Sequence, residues 1–354
     1  MITFAMIAGG LVGLVVGGDL LVRGASKLAL AAKVSPLVIG LTVVALGTSA
    51  PELGVSVQSC FAGATELAIG NAVGSNISNI LLVLGSTAAV SAVVVNTRLF
   101  RLDIPVMIAA AIALWVLGAD GNLNRIEGGV LVLAMIGYLW WTVQVGRKEQ
   151  RKLDAEIDEL LDDAPAGAAG LTLAVGQVVV GLVLLVGGAN FLVEGCVQLA
   201  EAWGISQMVI GLTVTAIGTS LPELFTSIVA AWRGKQDLAV GNVVGSNILN
   251  VLAVLGISST VAPAGIPVSP DALSLHIPIM VAVSVCCLPI FLTGAVIVRW
   301  EGLLMLTYYL VFLAFISLVP SEGGAGYAVI TTLLLAAPLG LLTIATLLAP
   351  RPKR

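Results

Sequence analysis

The sequence predicts an all-α polytopic membrane protein: two inverted-topology five-helix repeats forming a ten-span core, plus one extra C-terminal transmembrane helix. Three observations carry this reading. Hydrophobic residues make up 58% of the 354 residues and charged residues only 10%, where a soluble domain carries about 25% charged residues. Apolar segments of bilayer-spanning length recur along the chain, and half of the sequence repeats in the other half. So few polar groups cannot cover a soluble surface, which excludes an ordinary soluble enzyme, a disordered chain and a nucleic-acid binder. The 40 glycines suit helices packed backbone to backbone in lipid.

A span needs roughly 20 apolar residues. Such segments lie near 3–22, 34–60, 67–93, 103–119, 126–146, 171–195, 205–232, 237–261, 275–293, 301–319 and 326–349. The first lacks a cationic start and reads as a true span, not a cleaved signal. Lys and Arg favour the cytoplasmic side. With the N-terminus outside, Arg23, Lys27, Lys33, Arg98, Arg101, Arg147, Lys148, Arg151, Lys152, Arg233, Lys235 and Arg299 fall inside, with Arg351, Lys353 and Arg354 of the tail. Of the 16 basic residues only Arg125 falls outside. A miscounted helix would scramble this pattern, so it supports the number of spans as well as their direction. The expected location is the cell membrane, multi-pass, with a cytoplasmic C-terminus.

The segment 147–170 is the one long polar stretch. It begins with basic residues, continues through Asp154, Glu156, Asp158, Glu159, Asp162 and Asp163, and reads as a solvated cytoplasmic linker. It lacks the spacing and glycine of an EF-hand loop. The 4 cysteines form neither a metal pattern nor a disulfide framework. His276, the single histidine, reads as an interfacial residue at an outer helix end.

Residues 38–56, VIGLTVVALGTSAPELGVS, return at 209–227 as VIGLTVTAIGTSLPELFTS; residues 67–85, LAIGNAVGSNISNILLVLG, return at 238–256 as LAVGNVVGSNILNVLAVLG. The offset is 171 in both pairs (38 to 209, 67 to 238), without a gap. The organisation is therefore a first repeat, 1–146, with its motif block at 38–85; the linker, 147–170; a second repeat, 171–319, with its block at 209–256; and the extra helix with a basic tail, 320–354. Five spans is an odd number, so the second copy enters the membrane from the opposite side. Inverted repeats of this kind mark secondary transporters with a site near the bilayer midplane.

Polar residues at span depth gather in two places per repeat. The second and seventh spans hold Gly47, Thr48, Ser49, Pro51 and Glu52, and Gly218, Thr219, Ser220, Pro222 and Glu223. The third and eighth hold Asn71, Ser75, Asn76 and Asn79, and Asn242, Ser246, Asn247 and Asn250. A carboxylate at mid-bilayer costs a few kcal/mol and is a functional candidate by default. Pro51 and Pro222 leave the carbonyls of Gly47 and Gly218 without an amide donor. Carbonyls such as those of Ala45 and Ala216 are expected to turn toward the same cavity, since broken helix is tolerated only where it lines one. Thr48, Ser49 and Glu52 share a helix face, as do Ser75 and Asn79, with Asn71 one turn earlier. The inventory is hard oxygen donors, which suit calcium or sodium and not zinc or copper. No Arg or Lys lies in the spans to hold an anion. Asn76 and Asn247 point about 100° away from Ser75 and Ser246 and read as helix-packing residues. Gly70, Gly74, Gly241 and Gly245 read as close-approach sites.

With these motifs the chain resembles the calcium/cation antiporter superfamily, in its prokaryotic sodium/calcium exchanger branch. The likeness rests on Gly-Thr-Ser-x-Pro-Glu and Gly-Ser-Asn-x-x-Asn in both halves and spans the five-plus-five core. It implies exchange of calcium for sodium by alternating access. It implies Glu52 and Glu223 as the calcium-bridging residues, with Thr48, Ser49, Thr219, Ser220, Ser75, Ser246, Asn79, Asn250, Asn71, Asn242 and the Ala45 and Ala216 carbonyls completing the metal set. It further implies that the first and sixth spans slide over the core, on glycines at 13, 17, 18, 181, 187 and 188. The partners are the lipid bilayer and the transported calcium and sodium ions; no cofactor and no enzymatic activity are expected. One departure stands out. Exchangers of this type carry Asp at the last motif position of the second repeat, and this chain has Asn250. Two carboxylates then face three sodium ions with one positive charge in excess. Calcium/proton and sodium/proton antiport are the alternatives, with a passive cation channel behind them.

Overall fold

The computed structural model describes residues 2–157, 168–203, 216–292, 296–318 and 340. The expected last span, the basic tail, Asp158 to Asp163 of the linker and the first half of the seventh span lie outside the described residues. What is described is almost entirely helix. In chain order the long helices are α1 (Ile2–Ala32), α2 (Pro36–Thr48), α3 (Ala50–Phe61), α4 (Glu66–Val90) and α5 (Leu99–Asp120). They continue as α6 (Arg125–Ile157), α7 (Ala168–Ala202), α8 (Leu221–Trp232) and α9 (Gln236–Val261). The last two are α10, which runs Ala272–His276 and then Ile277–Leu292, and α11 (Arg299–Leu318). Among the described residues six helices are long and apolar enough to cross a membrane, and the bent pair α2–α3 makes a seventh. The chain is a multi-pass membrane protein.

The first helix runs ten residues past its expected apolar segment, because Arg23 to Ala32 keep helical spacing beyond the lipid-facing stretch. It stops at Lys33, whose φ of 53° is left-handed, and the Val34 amide reaches back to the Ala29 carbonyl at 3.0 Å. That is a Schellman ending, and Pro36 then opens α2. The same cap closes α3 and α8. Gly63 and Gly234 have φ of 78° and 71°, and Ala64 and Lys235 donate to the carbonyls of Ser59 and Ala230 at 2.9 and 2.8 Å. Positions 63 and 234 differ by 171, so one backbone solution serves both halves. A Cβ at either glycine would force the strained left-handed region.

At the centre lies α9, whose membrane-length window is buried on every side and whose polar residues, Asn242, Ser246, Asn247 and Asn250, are buried with it. Around it pack α2, α3, α4, α5, α6 and α8. On the flank α1 and α7 form a pair of their own. Their backbones touch: a Cβ on Gly17 would lie 2.8 Å from the Gly181 carbonyl, and one on Gly188 2.8 Å from that of Gly10. This corrects the expectation that these glycines form the surface against the core. Gly13, Gly17, Gly181 and Gly188 join α1 to α7, and only Gly18 faces the core, at Phe225 and Val229 of α8. The physical reason is that small residues serve best where two backbones meet.

Two short antiparallel ribbons tie the loops together. One pairs Val93–Val94 with Val296–Ile297, the other Asn122–Leu123 with Ile266–Pro267. They mark opposite ends of the bundle. At the first end Gln236 donates to the Ala92 carbonyl and Arg299 to that of Val90. Arg233 and Arg23 both pair with Asp19 there. Buried Arg98 donates to Glu149 and to the Thr142 carbonyl, both at 2.9 Å. At the second end Arg125 donates to the Thr260 carbonyl. Arg23, Arg98, Arg233 and Arg299 thus gather at one end, with Arg125 at the other. All four cysteines carry free thiols.

Candidate functional site

The site is built where the two Gly-Thr-Ser-x-Pro-Glu segments break their helices. Proline at the second position of α3 and of α8 has no amide to continue the ladder. The residue before each helix is Ser49 or Ser220, with φ/ψ of −83°/5° and −86°/1°, outside the helical well. Across the first break α2 and α3 are bent by 41°. Glu52 and Glu223 therefore fall in the first turn of a new helix at mid-span. There the exposed amides give a partial positive charge that favours a carboxylate.

Both glutamates are completely buried, and their carboxylates are close enough to interact electrostatically with each other. Each half contributes to the other's surroundings. Ser49 donates to Glu223 Oε1 at 3.3 Å, and Ser246 does so at 3.5 Å. Thr48 also stands within interaction range of Glu223. Ser75 and Thr219 stand in the corresponding places beside Glu52, though neither Glu52 oxygen has a well-formed hydrogen bond among the described residues. The Ser220 hydroxyl is buried and unpartnered as well.

The asparagines divide into two kinds. Asn71 and Asn242 brace the breaks. Asn71 Nδ2 donates to the Glu52 carbonyl at 3.0 Å and to Ser56 Oγ at 2.9 Å. Asn242 Nδ2 donates to the Glu223 carbonyl at 3.4 Å and to Ser227 Oγ at 3.1 Å. Their nitrogens hold backbone, so only their oxygens remain for another partner; that of Asn242 receives Thr48 Oγ1 at 3.0 Å. Asn79 and Asn250 each open a π-helical stretch, Asn79–Leu84 and Asn250–Leu255. Such widened turns recur at functional sites. Both are buried, and Asn79 Oδ1 and Asn250 Oδ1 have no partner among the described residues.

The carbonyls differ from expectation in one half. Ala45 keeps its helical role, accepting the Ser49 amide at 3.0 Å and Thr48 Oγ1 at 3.4 Å. In the other half the Ser220 amide donates to the Ile217 carbonyl at 3.1 Å. Ser56 and Ser227 were missed as participants. Their signal was available, since they are the last residues of the repeated segments 38–56 and 209–227 and lie 171 apart.

Two fully buried acids that face one another in a chain with apolar helices demand either a proton or a cation. Matches to known proteins decide the family. Residues 2–144 and 173–318 match the family described as sodium/calcium exchanger protein. The chain belongs to that family. Among relatives, the sodium/calcium exchanger MaX1 of Methanosarcina acetivorans is 33% identical over 350 residues, covering 88% of this chain and 97% of its own. A putative antiporter, CaxA of Alkalimonas amylolytica, is 36% identical over 258 residues, covering 72% and 79%. The fold matches the solved sodium-calcium exchanger NCX_Mj with a TM-score of 0.76 at 33% identity, over 90% of this chain and 99% of that one. The family is one of exchangers, and the chain is accordingly a cation transporter of this class. The interruption between the two matched blocks, 145–172, coincides with the polar linker.

Proposed function

We propose that this protein is a secondary antiporter that moves calcium across a cell membrane against sodium, by alternating access. One observation carries it: two buried carboxylates, one from each repeat, meet at paired helix breaks within a ring of hydroxyl and amide oxygens. Two carboxylates neutralise one calcium ion. Ser49, Ser220, Ser75, Ser246, Thr48 and Thr219 supply further neutral oxygens, and Asn79 and Asn250 supply amide oxygens. This is the hard, oxygen-rich shell of irregular geometry that calcium takes. Asn71 and Asn242 act mainly by bracing the broken helices, and the carbonyls of Ala45 and Ala216 stand beside the breaks as further oxygen donors. Ten core spans in two inverted sets of five, with an outside N-terminus and a cytoplasmic C-terminus, follow from the charge pattern of the loops. The segment 326–349 has no counterpart in either sequence repeat.

The counter-ion reading turns on Asn250. With a neutral amide there, and no trio of His, Cys, Asp or Glu side chains among the described residues, the site offers two negative charges. Three sodium ions would leave one positive charge uncompensated in a poorly screened interior. Two sodium ions would not. The same residue favours a second reading, calcium against two protons, one on each glutamate. The experiment is calcium flux into proteoliposomes under a sodium gradient or a proton gradient, imposed separately. Sodium-driven uptake supports the first reading and proton-driven uptake the second. Uptake that needs neither gradient and does not saturate would mark a channel.

A further inference from the structure

We propose that Asn76 is a positioning residue for ion selectivity: it fixes the amide of Asn250 so that Asn250 presents oxygen, not nitrogen, to the cation. The inference rests on the reading of Asn250 as a ligand and adds a residue that the motif pattern alone assigned to helix packing.

The argument is one of donors and acceptors. Asn76 and Asn250 are both buried, so neither amide can turn to water. Asn76 Nδ2 donates to the backbone carbonyl of Asn247 at 3.2 Å, with Met280 Sδ at 3.4 Å on the same nitrogen. A carbonyl oxygen can only accept, so the Asn76 amide cannot be reversed without losing that bond. Its oxygen must then face Asn250, and it receives Asn250 Nδ2 at 3.1 Å. With its nitrogen held on one side, Asn250 has its oxygen on the other, and that oxygen is buried without a partner among the described residues. The helical stretch that begins at Asn250 packs against α3, which carries Glu52. An oriented amide oxygen attracts a cation; a reversed amide would put two N–H groups there and repel it.

The opposite half lacks the device. The bond equivalent to Asn250–Asn76 would join Asn79 Nδ2 to Asn247 Oδ1, and both atoms are unpartnered among the described residues. Asn247 Nδ2 instead lies 3.5 Å from Met107 Sδ. One amide ligand is locked by its neighbour, and its counterpart is not.

The test uses the symmetry of a carboxylate. Asp at 250 has two like oxygens and needs no orientation. Asn76→Leu, or Asn76→Ala should leucine impair folding, is made in the wild-type protein and in an Asn250→Asp background. Each full-length variant is reconstituted in liposomes, and the half-saturating calcium concentration for exchange is measured. The wild-type background is expected to show an increase of about tenfold, the size of one lost hydrogen-bond constraint. The Asn250→Asp background is expected to stay within about twofold. Equal losses in both backgrounds, or no change in the wild type, would overturn the proposal and leave Asn76 a packing residue. If Asn250→Asp and Asn250→Leu leave both calcium and counter-ion dependence untouched, the ligand reading of Asn250 fails instead.

Discussion

The two repeats carry nearly the same motif yet surround it differently. Around Glu223 every group is enclosed: Thr48, Ser49, Asn242 and Ser246 are buried, and α9 presses Gly241 and Gly245 against α2. A Cβ on Gly241 would lie 2.8 Å from the Leu37 carbonyl, and one on Gly245 2.7 Å from that of Leu41. Around Glu52 the described residues enclose less. Asn71 and Thr219 are half-buried, Gly70 and Gly74 are exposed, and no described atom lies within 4 Å of a Cβ on either glycine. Their counterpart of the α2 contact, 208–215, lies outside the described residues. Among the described residues, then, α2 closes the motif face around Glu223, and the segment in the matching position for the Glu52 face is not among them.

The comparison yields predictions of decreasing size. Replacement of either acid should erase the difference between the halves where function is concerned. Glu52→Gln and Glu223→Gln should each lower calcium exchange at least a hundredfold in proteoliposomes, with the helical circular dichroism signal retained. A neutral amide in either place leaves calcium with one formal charge to balance it, in an interior that screens weakly. Persistent exchange in one variant would show that the two halves do not share the ion.

Substitution of the helix-contact glycines should make the difference visible in stability. Gly241→Ala and Gly245→Ala place a methyl against backbone, an overpacking cost of about 1–3 kcal/mol, and should lower the thermal unfolding midpoint by several degrees. Gly70→Ala and Gly74→Ala meet no described atom within 4 Å, gain helix propensity and should leave the midpoint unchanged or raised. A loss equal to that of the α9 glycines would place another segment of the chain against that face.

Finer still is the brace behind each glutamate. Ser227→Ala strands the fully buried Asn242 amide and should cost about 1–2 kcal/mol. Ser56→Ala strands that of Asn71, which is half-buried and can recruit water, so the loss should be smaller. Thermal or denaturant unfolding of the purified variants measures both, and a larger loss for Ser56→Ala would reverse the ranking.

Much of the candidate site was legible in the sequence because the internal repeat doubles every signal. Glu52 and Glu223 stood out as acids beside prolines in apolar spans, and the repeat made coincidence implausible. Loop charges identified the end of the bundle that Arg23, Arg98, Arg233 and Arg299 share. Two things were not legible. The glycines of α1 and α7 could pack against the core or against each other, since small-residue stripes do not name their partner; the structure chose the pair. Amide orientation was also out of reach. Asn76 lies about 100° from Ser75 around its helix, and only its bonds to the Asn247 carbonyl and to Asn250 show that it faces the site's edge.

A diffraction map of crystals grown with calcium, using the metal's anomalous signal, tests the central claim most directly. The account predicts one calcium peak per chain between the Glu52 and Glu223 carboxylates, with Asn250 Oδ1 turned toward it. A peak elsewhere in the chain, with the two glutamates left metal-free, would contradict it.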